Sequence, residues 1–166
     1  MNIEIERKFL IERPAEEKLK KEDLTVREMV QTYLSENPEN GAERRVRLIK
    51  ENGATSFVFT EKEKLKGISR SENEYEISES EYCNLKREAV SELTKTRYAF
   101  PYKSHKIEID VYPYEIGGND LEGKAVLEVE LQSEDETFAL PDYITVIREL
   151  TGTREFSNKA LAKSVL

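Results

Sequence analysis

Residues 1–10 read MNIEIERKFL, and this stretch decides the fold. From Ile3 onward its residues alternate with a period of two, which predicts a β-strand whose neighbouring side chains point to opposite faces. One face carries Ile3, Ile5, Arg7 and Phe9, and the other carries Glu4, Glu6 and Lys8. By itself the stretch does not distinguish a charged solvent face from a charged interior.

The same arrangement, two like charges around a less polar residue, recurs along the chain. The later pairs are Arg45/Arg47, Glu74/Glu76, Lys95/Arg97, Glu108/Asp110 and Glu128/Glu130. Side chains two apart on a strand lie roughly 7 Å from each other, where like charges repel by about 2 kcal/mol at an effective dielectric near 20. Such pairs would need opposite strands or bound ions to neutralise them. A closed antiparallel sheet with a charged interior satisfies all of them, with a polyanion and a divalent metal as guests.

Composition excludes several classes of function. The 166 residues predict a single domain, 1–166, and the net charge of −8 argues against a nucleic-acid surface. No apolar run is long enough to span a bilayer and no signal-peptide pattern is present, so we expect a cytoplasmic protein without membrane contact. One His and one Cys leave little for His/Cys metal sites or nucleophiles. Carboxylates, lysines and arginines must carry the chemistry.

Periodicity and turn residues predict a mainly β fold of the α+β class. After the first strand, further strands are predicted at 26–34, 43–51, 54–62, 68–77, 92–100, 106–112 and 124–132, with a flexible connection at 117–120. Helices are predicted at 15–22, at 79–90 and from Ser157 through Val165. Eight strands suit an antiparallel barrel whose interior holds side chains or one small ligand. A charged interior would then turn the apolar faces outward, where helices must cover them.

The most specific local prediction is the hairpin around Asn52-Gly53, a dipeptide typical of two-residue turns. With these residues at the turn centre, opposed partners sum to 105, so Arg47 faces Val58 and Arg45 faces Thr60. Three cations therefore share one face with Thr60, namely Arg45, Arg47 and Lys62.

The ordered set of motifs resembles a known family. Glu4-Ile-Glu6-Arg-Lys8 is similar to the ExExK signature of the CYTH domain, or triphosphate tunnel metalloenzymes, and the charged pairs follow in that family's order. The resemblance covers nearly the whole chain. It implies an eight-stranded antiparallel tunnel that acts on triphosphate groups with Mg²⁺ or Mn²⁺.

The resemblance also implies roles for individual residues. Phosphate oxygens would be held by Lys8, Arg45, Arg47, Lys62, Lys95 and Arg97. Metal would be coordinated by Glu4, Glu6, Glu128 and Glu130, and a second metal or a water by Glu74, Glu76 and Asp110. Acidic residues on both sides of Lys62 leave open whether Lys62 or Lys64 faces the tunnel.

The leading functional prediction is metal-dependent hydrolysis of a triphosphate, either inorganic tripolyphosphate or a nucleoside triphosphate. Lys95 would orient or deprotonate the attacking water, with Lys8 as a second catalytic group. The alternatives are a class IV adenylate cyclase and a non-catalytic polyphosphate-binding module; the complete acidic set favours an enzyme. Thiamine triphosphate is disfavoured because the chain has no Trp. The expected partner is a small-molecule triphosphate, and the chain is compatible with a monomer or a homodimer.

Overall fold

The computed structural model describes residues 2–112, 121–153 and 156–165, so the predicted connection at 117–120 lies outside the described residues. The strands are β1 (Asn2–Glu4), β2 (Glu6–Glu12), β3 (Thr25–Leu34), β4 (Glu43–Glu51), β5 (Ala54–Lys64), β6 (Arg70–Ile77), β7 (Ala89–Tyr102), β8 (His105–Val111), β9 (Lys124–Glu130), β10 (Val146–Glu149) and β11 (Lys163–Ser164). The helices are α1 (Glu16–Leu19), α2 (Glu79–Leu85) and α3 (Asn158–Leu161), with a 3₁₀ turn at Lys86–Glu88.

The strands form one antiparallel sheet in the order β1-β6-β5-β4-β3-β7-β8-β9-β2-β10, with β11 on β7. The mainly β prediction with peripheral helices is confirmed. The predicted eight-stranded closed barrel needs correction, because the first predicted strand divides at Ile5. Its first part pairs with β6 and its second with β9. Within the described residues, β1 at one end of the sheet is therefore joined to β2 near the other end by the covalent chain at Ile5, and not by hydrogen bonds between neighbouring strands.

The hairpin between β4 and β5 has the predicted register. Arg47 opposes Val58, and Arg45 opposes Thr60. The two turn residues both have positive φ, 51° at Asn52 and 78° at Gly53. This conformation is the one for which Asn-Gly is preferred, since its twist matches that of the flanking strands. The local sequence alone therefore sets which face of this hairpin carries its cations.

Two apolar clusters cover the outer side of the sheet, as the prediction of outward apolar faces requires. One joins β2, β8 and β9 through residues such as Ile11, Ile109 and Leu127, and α1 covers it with Leu19. The other joins β3 to β6 and is covered by Tyr82 of α2. Helix α2 begins with a capping box formed by Ser78 and Glu81. No helix in the described part of the chain is both long and apolar enough to cross a membrane.

A third apolar cluster lies on the inward side of the strands, and we call it the apolar plug. It contains Leu10, Tyr33, Leu93, Tyr112, Leu121, Val126, Leu150, Phe156 and Leu161. Helix α3, predicted from Ser157 through Val165, is capped by Ser157 but ends at Leu161, because residues 163–164 pair with β7 instead. The C-terminal helix was expected to cover an outward face, and that expectation is wrong. Leu161 packs into the interior, so the interior is charged along only part of its length.

Candidate active site

The charged part of the interior is a cavity of about 160 Å³ bounded by side chains from both ends of the sheet order. Every described residue that lines it is charged except Tyr33, Ser157 and Asn158. Strand alternation explains this composition, since Glu4, Glu6 and Lys8 all point to the same side of the first strand. The cavity is thus suited to a small, highly charged guest.

Arg45 and Arg47 form a cationic wall of the cavity. Both are buried, and the Nε atom of each has no hydrogen-bond partner among the described residues. Arg47 donates from Nη2 to Glu74 Oε2 at 2.8 Å, and burial together with the neighbouring Arg45 charge lowers the pKa of Arg47 to about 10. Buried donors without acceptors are unfavourable, and an anion at this wall would supply the missing acceptors.

Lys62, and not Lys64, faces the cavity. Its Nζ lies 2.9 Å from Glu4 Oε1 and 3.7 Å from Glu72 Oε2. Lys64 is exposed at the end of β5. The sequence left open which of these two lysines faces the interior, and the structure places the side chain of Lys62 there.

Carboxylates in the cavity repel one another. Burial and the Glu128 charge raise the pKa of Glu6 well above its usual value. Burial and the hydrogen bond with Glu4 raise the pKa of Glu72 to about 7. Burial also acts on Glu4, but the Lys62 charge and its hydrogen bonds outweigh it and lower the pKa to about 2. A cation bound near Glu6 and Glu128 would offset the repulsion between these two carboxylates.

The donor chemistry fits Mg²⁺ or Mn²⁺, because these ions prefer oxygen ligands. Among the residues that the structure describes, no three acidic, His or Cys side chains form a ready-made metal cluster. The carboxylates instead interact in pairs, Glu6 with Glu128 and Glu4 with Glu72. A metal ion in this cavity would therefore take part of its coordination from water or from substrate oxygens, as Mg²⁺ usually does.

A second ionic network runs from Arg97 in the cavity lining to Asp110 and Lys95 behind it. Asp110 accepts hydrogen bonds from Lys95 Nζ at 2.8 Å and from Arg97 Nε at 2.7 Å. Burial and the Arg97 charge lower the pKa of Lys95 to about 7. Burial would raise the pKa of Asp110, yet its two cations hold it below its usual range. Unlike the Arg45/Arg47 wall, this network supplies partners for its own charges.

Tyr33 is the one aromatic residue among the described residues that line the cavity. Its hydroxyl accepts a hydrogen bond from Gln31 Nε2 at 2.5 Å, and burial raises its pKa to about 12. The phenol is therefore neutral near pH 7. Its ring belongs to the apolar plug, so it marks the boundary between the two parts of the interior.

Comparison with known proteins places this geometry in a family. The profile of the CYTH domain matches residues 2–164. The chain belongs to the CYTH domain family. An inorganic triphosphatase from Acetivibrio thermocellus is 34% identical over 167 residues, which cover 99% of this chain and 96% of that protein.

Solved structures of similar proteins share the architecture. A crystal structure of an inorganic triphosphatase has a TM-score of 0.57 and 28% sequence identity, with 98% of this chain and 95% of that chain covered. A protein from Pyrococcus horikoshii also has a TM-score of 0.57, at 19% identity and with 80% of each chain covered. At that identity the second likeness concerns the fold alone.

Most residues on which the CYTH resemblance rests come together in the cavity. These are Glu4, Glu6, Lys8, Arg45, Arg47, Lys62, Glu74, Arg97, Glu128 and Glu130. Lys95 and Asp110 are buried but are not among the lining residues. Glu76 is exposed and also lies outside the lining set. Its expected place near the guest is taken by Glu72, four residues earlier on the same strand face.

The sequence reasoning missed other lining residues for two different reasons. Glu72 and Glu108 carry a usable signal, because Glu72 shares a strand face with Glu74 and Glu108 belongs to a charged pair that was noted, although Glu108 itself was given no role in the site. Asn158 and Lys159 carry none. They enter the cavity from α3, and Lys159 is held there by Glu36 at 2.8 Å. A contact across 123 residues of chain leaves no local pattern.

Proposed function

We propose that this protein hydrolyses inorganic tripolyphosphate with Mg²⁺ or Mn²⁺ as cofactor. Water attacks a terminal phosphorus, the bond from that phosphorus to its bridging oxygen breaks, and phosphate and pyrophosphate leave. The observation that carries the proposal is the cationic wall of Arg45 and Arg47, whose buried Nε donors have no partner in the part of the chain that the structure describes. The 34% identity to an inorganic triphosphatase supports the same reaction class.

The cations of the cavity would bind the phosphate chain. Arginine presents a planar set of donors that matches phosphate oxygens, and Lys8 and Lys62 add point charges from other strands. Phosphoryl transfer requires mainly positioning and the neutralisation of charge that spreads over oxygens in the transition state. A wall of fixed cations meets that requirement without a covalent intermediate.

The carboxylates would hold the metal. Glu4, Glu6, Glu128 and Glu130 line the cavity, and Glu72 joins them through its interaction with Glu4. When bound, the metal ion neutralises phosphate charge and orients the phosphate chain. A purely cationic cavity would suffice for a binding module, so the acidic half of this lining favours turnover over capture.

The lining also favours an inorganic substrate. Cyclisation of ATP requires groups that grip adenine and ribose and aim the 3′-hydroxyl at the α-phosphorus. Among the described residues, the neutral lining groups are Tyr33, Ser157 and Asn158. The Tyr33 ring is packed in the apolar plug and its hydroxyl is bonded to Gln31. It is therefore poorly placed to stack on a base.

For Lys95, the pKa and the position of the side chain point to different roles. A pKa near 7 suits a general base. Its Nζ, however, is bound to Asp110 at 2.8 Å behind the lining residues. Lys95 acts on water directly only if substrate binding redirects this ammonium group; otherwise Lys95 orders Asp110 and Arg97. Its predicted catalytic role stays a prediction.

The test is an assay of products from tripolyphosphate and from ATP, each with Mg²⁺, with Mn²⁺ and with excess EDTA. Chromatography separates phosphate, pyrophosphate and cyclic AMP. We expect phosphate and pyrophosphate from tripolyphosphate and no turnover in EDTA. Arg47→Ala, prepared identically, controls for a contaminating phosphatase. Cyclic AMP as the main product from ATP, or binding of tripolyphosphate without any turnover, would overturn the proposal.

A further inference from the structure

The backbone of Lys8 is held from outside the cavity by the segment 149–151. The Leu150 N–H donates to the Lys8 carbonyl at 2.7 Å, and the Lys8 N–H donates to Thr151 Oγ1 at 2.9 Å. Lys8 opposes Glu128 on β9, so these two bonds fix the strand on its other edge. A cavity residue thus has its main chain fastened by a side-chain hydroxyl, where a neighbouring strand would ordinarily supply a carbonyl.

That hydroxyl is itself held in place. Thr151 Oγ1 lies 2.7 Å from Glu149 Oε2 and donates to it. The same carboxylate accepts two bonds from Arg7, at 2.9 Å from Nε and at 2.6 Å from Nη2. The Arg7 guanidinium lies over the rings of Phe9 and Phe138, at 5.3 and 5.2 Å from their centroids. Because Glu149 takes the hydroxyl hydrogen, the Thr151 oxygen lone pairs are directed to the Lys8 N–H.

The side chain of Lys8 lacks comparable restraint. Its only ion-pair partner within the described residues is Glu128, at 3.7 Å between Nζ and Oε1. The position of this ammonium group therefore depends on where the main chain of β2 is fixed. The division of the first strand at Ile5 increases this dependence. Because β6 pairs with β1 and not with β2, the edge of β2 opposite β9 is held by residues 146–151.

We propose that Arg7, Glu149 and Thr151 form a positioning relay that sets Lys8 in the cavity. None of the three lines the cavity, so they are positioning residues and not catalytic ones. The inference rests on the proposed function for its kinetic consequence, but its structural content is independent of turnover. The relay also predicts that substitution of Arg7 affects activity, although Arg7 lies on the face of β2 that points away from the cavity.

The sharpest test compares Thr151→Val with Thr151→Ser. Valine has nearly the shape of threonine but cannot accept the Lys8 N–H, whereas serine keeps the hydroxyl. We expect kcat/KM for tripolyphosphate with Mg²⁺ to fall about tenfold to a hundredfold in Thr151→Val. The rise in KM should exceed the fall in kcat, since Lys8 binds the substrate before and during the reaction. Thr151→Ser should restore most of the lost activity.

A matched pair of variants distinguishes an effect on the position of Lys8 from the effect of losing any surface ion pair. Arg44 pairs with Glu88 at 3.1 Å and lies over the Phe59 ring at 5.8 Å, so it resembles Arg7 and also adjoins a cavity cation. Glu88→Gln should leave kcat/KM within about twofold of the wild type. Glu149→Gln should reproduce the effect of Thr151→Val. Equal effects of the two glutamine variants would overturn the relay.

Hydrogen exchange at the Lys8 amide distinguishes failure of this inference from failure of the proposed function. Exchange should be faster in Thr151→Val than in the wild type and in Thr151→Ser. Faster exchange in a protein that does not hydrolyse tripolyphosphate would reject the proposed function and support the relay. Exchange at the wild-type rate in Thr151→Val would reject the relay whatever the activity.

Discussion

The cavity and the apolar plug are built from the same inward faces of the same strands, yet they have opposite chemistry. Along β2 the inward residues change from Glu6 and Lys8 to Leu10, and along β9 they change from Glu128 to Val126. The plug resembles an ordinary core, with Leu93, Leu150 and Leu161 almost fully buried. The cavity instead holds buried donors without partners among the described residues, and two carboxylates with raised pKa, Glu6 and Glu72.

The contrast shows how the two tasks are divided. Burial of apolar surface stabilises the fold by roughly 25 cal/mol per Å², and the plug supplies it where α3 closes the interior. Confined like charges destabilise the folded state until an ion of opposite charge arrives. We therefore expect substitutions in the plug to reduce stability, and substitutions in the cavity to reduce activity while leaving stability unchanged or improved.

The largest expected effect is that of Arg47→Ala. The substitution removes a fixed phosphate-binding group, and loss of one such donor reduces turnover by about 100- to 1,000-fold. Steady-state kinetics with tripolyphosphate and Mg²⁺ measure it. Arg87→Ala, an exposed arginine outside the cavity, is the control and should be nearly silent. Similar losses in the two variants would contradict the assignment of the cationic wall.

In the plug, Leu93→Ala should lower the free energy of unfolding by about 2–5 kcal/mol, because it leaves a cavity in a close-packed cluster. Urea denaturation measures the change. Val90→Ala on the same strand is the matched control, since Val90 is 36% exposed and surface substitutions usually stay within about 0.5 kcal/mol. If both variants lost equal stability, the plug would not be acting as a core.

The increase in the free energy of unfolding on ligand binding compares the cavity and the apolar plug in one measurement. Tripolyphosphate with Mg²⁺ at 100 times its Kd should raise the free energy of unfolding by about 2.7 kcal/mol. Leu93→Ala should show the same increment from a lower starting stability, because the substitution leaves the charged, ligand-binding cavity intact. Arg47→Ala should show little increment at the same ligand concentration. Absence of any ligand effect in the wild-type protein would count against a charged, ligand-accepting interior.

The smallest expected effect has the opposite sign. Glu6→Gln should stabilise the metal-free protein by about 0.5–2 kcal/mol at pH 7, as substitutions that relieve strain at a functional site often do. Burial and Glu128 raise the pKa of Glu6 in the folded state above its usual value of 4.5. The folded state then holds the proton more strongly, so this group's contribution is fully present below about pH 4.5 and is lost as the pH rises.

Unfolding in EDTA at several pH values tests this sign. The advantage of Glu6→Gln should be absent near pH 4 and should appear at higher pH. Addition of Mg²⁺ should reverse it, because only the wild-type carboxylate can bind the ion. A variant that is less stable than the wild type at pH 7 in EDTA would show that Glu6 is satisfied by its surroundings.

Local sequence predicted those features that depend on backbone periodicity and turn chemistry. Alternation in residues 3–8 placed Glu4, Glu6 and Lys8 on one face, and Asn52-Gly53 predicted the register that brings Arg45 opposite Thr60. Both succeed because a strand has a period of two and a two-residue turn permits only one pairing. The same logic offered Glu72, which shares a face with Glu74.

Tertiary structure alone decided how far the charged interior extends and what surrounds it. Periodicity assigns a residue to a face but not to a depth, so it could not place Glu76 outside the cavity or Lys95 behind its wall. The plug, the entry of Asn158 from α3 and the support of Lys8 by Thr151 all join residues distant in the chain. Such contacts follow from how the sheet curves and where the first strand changes partner at Ile5, and no local pattern encodes them.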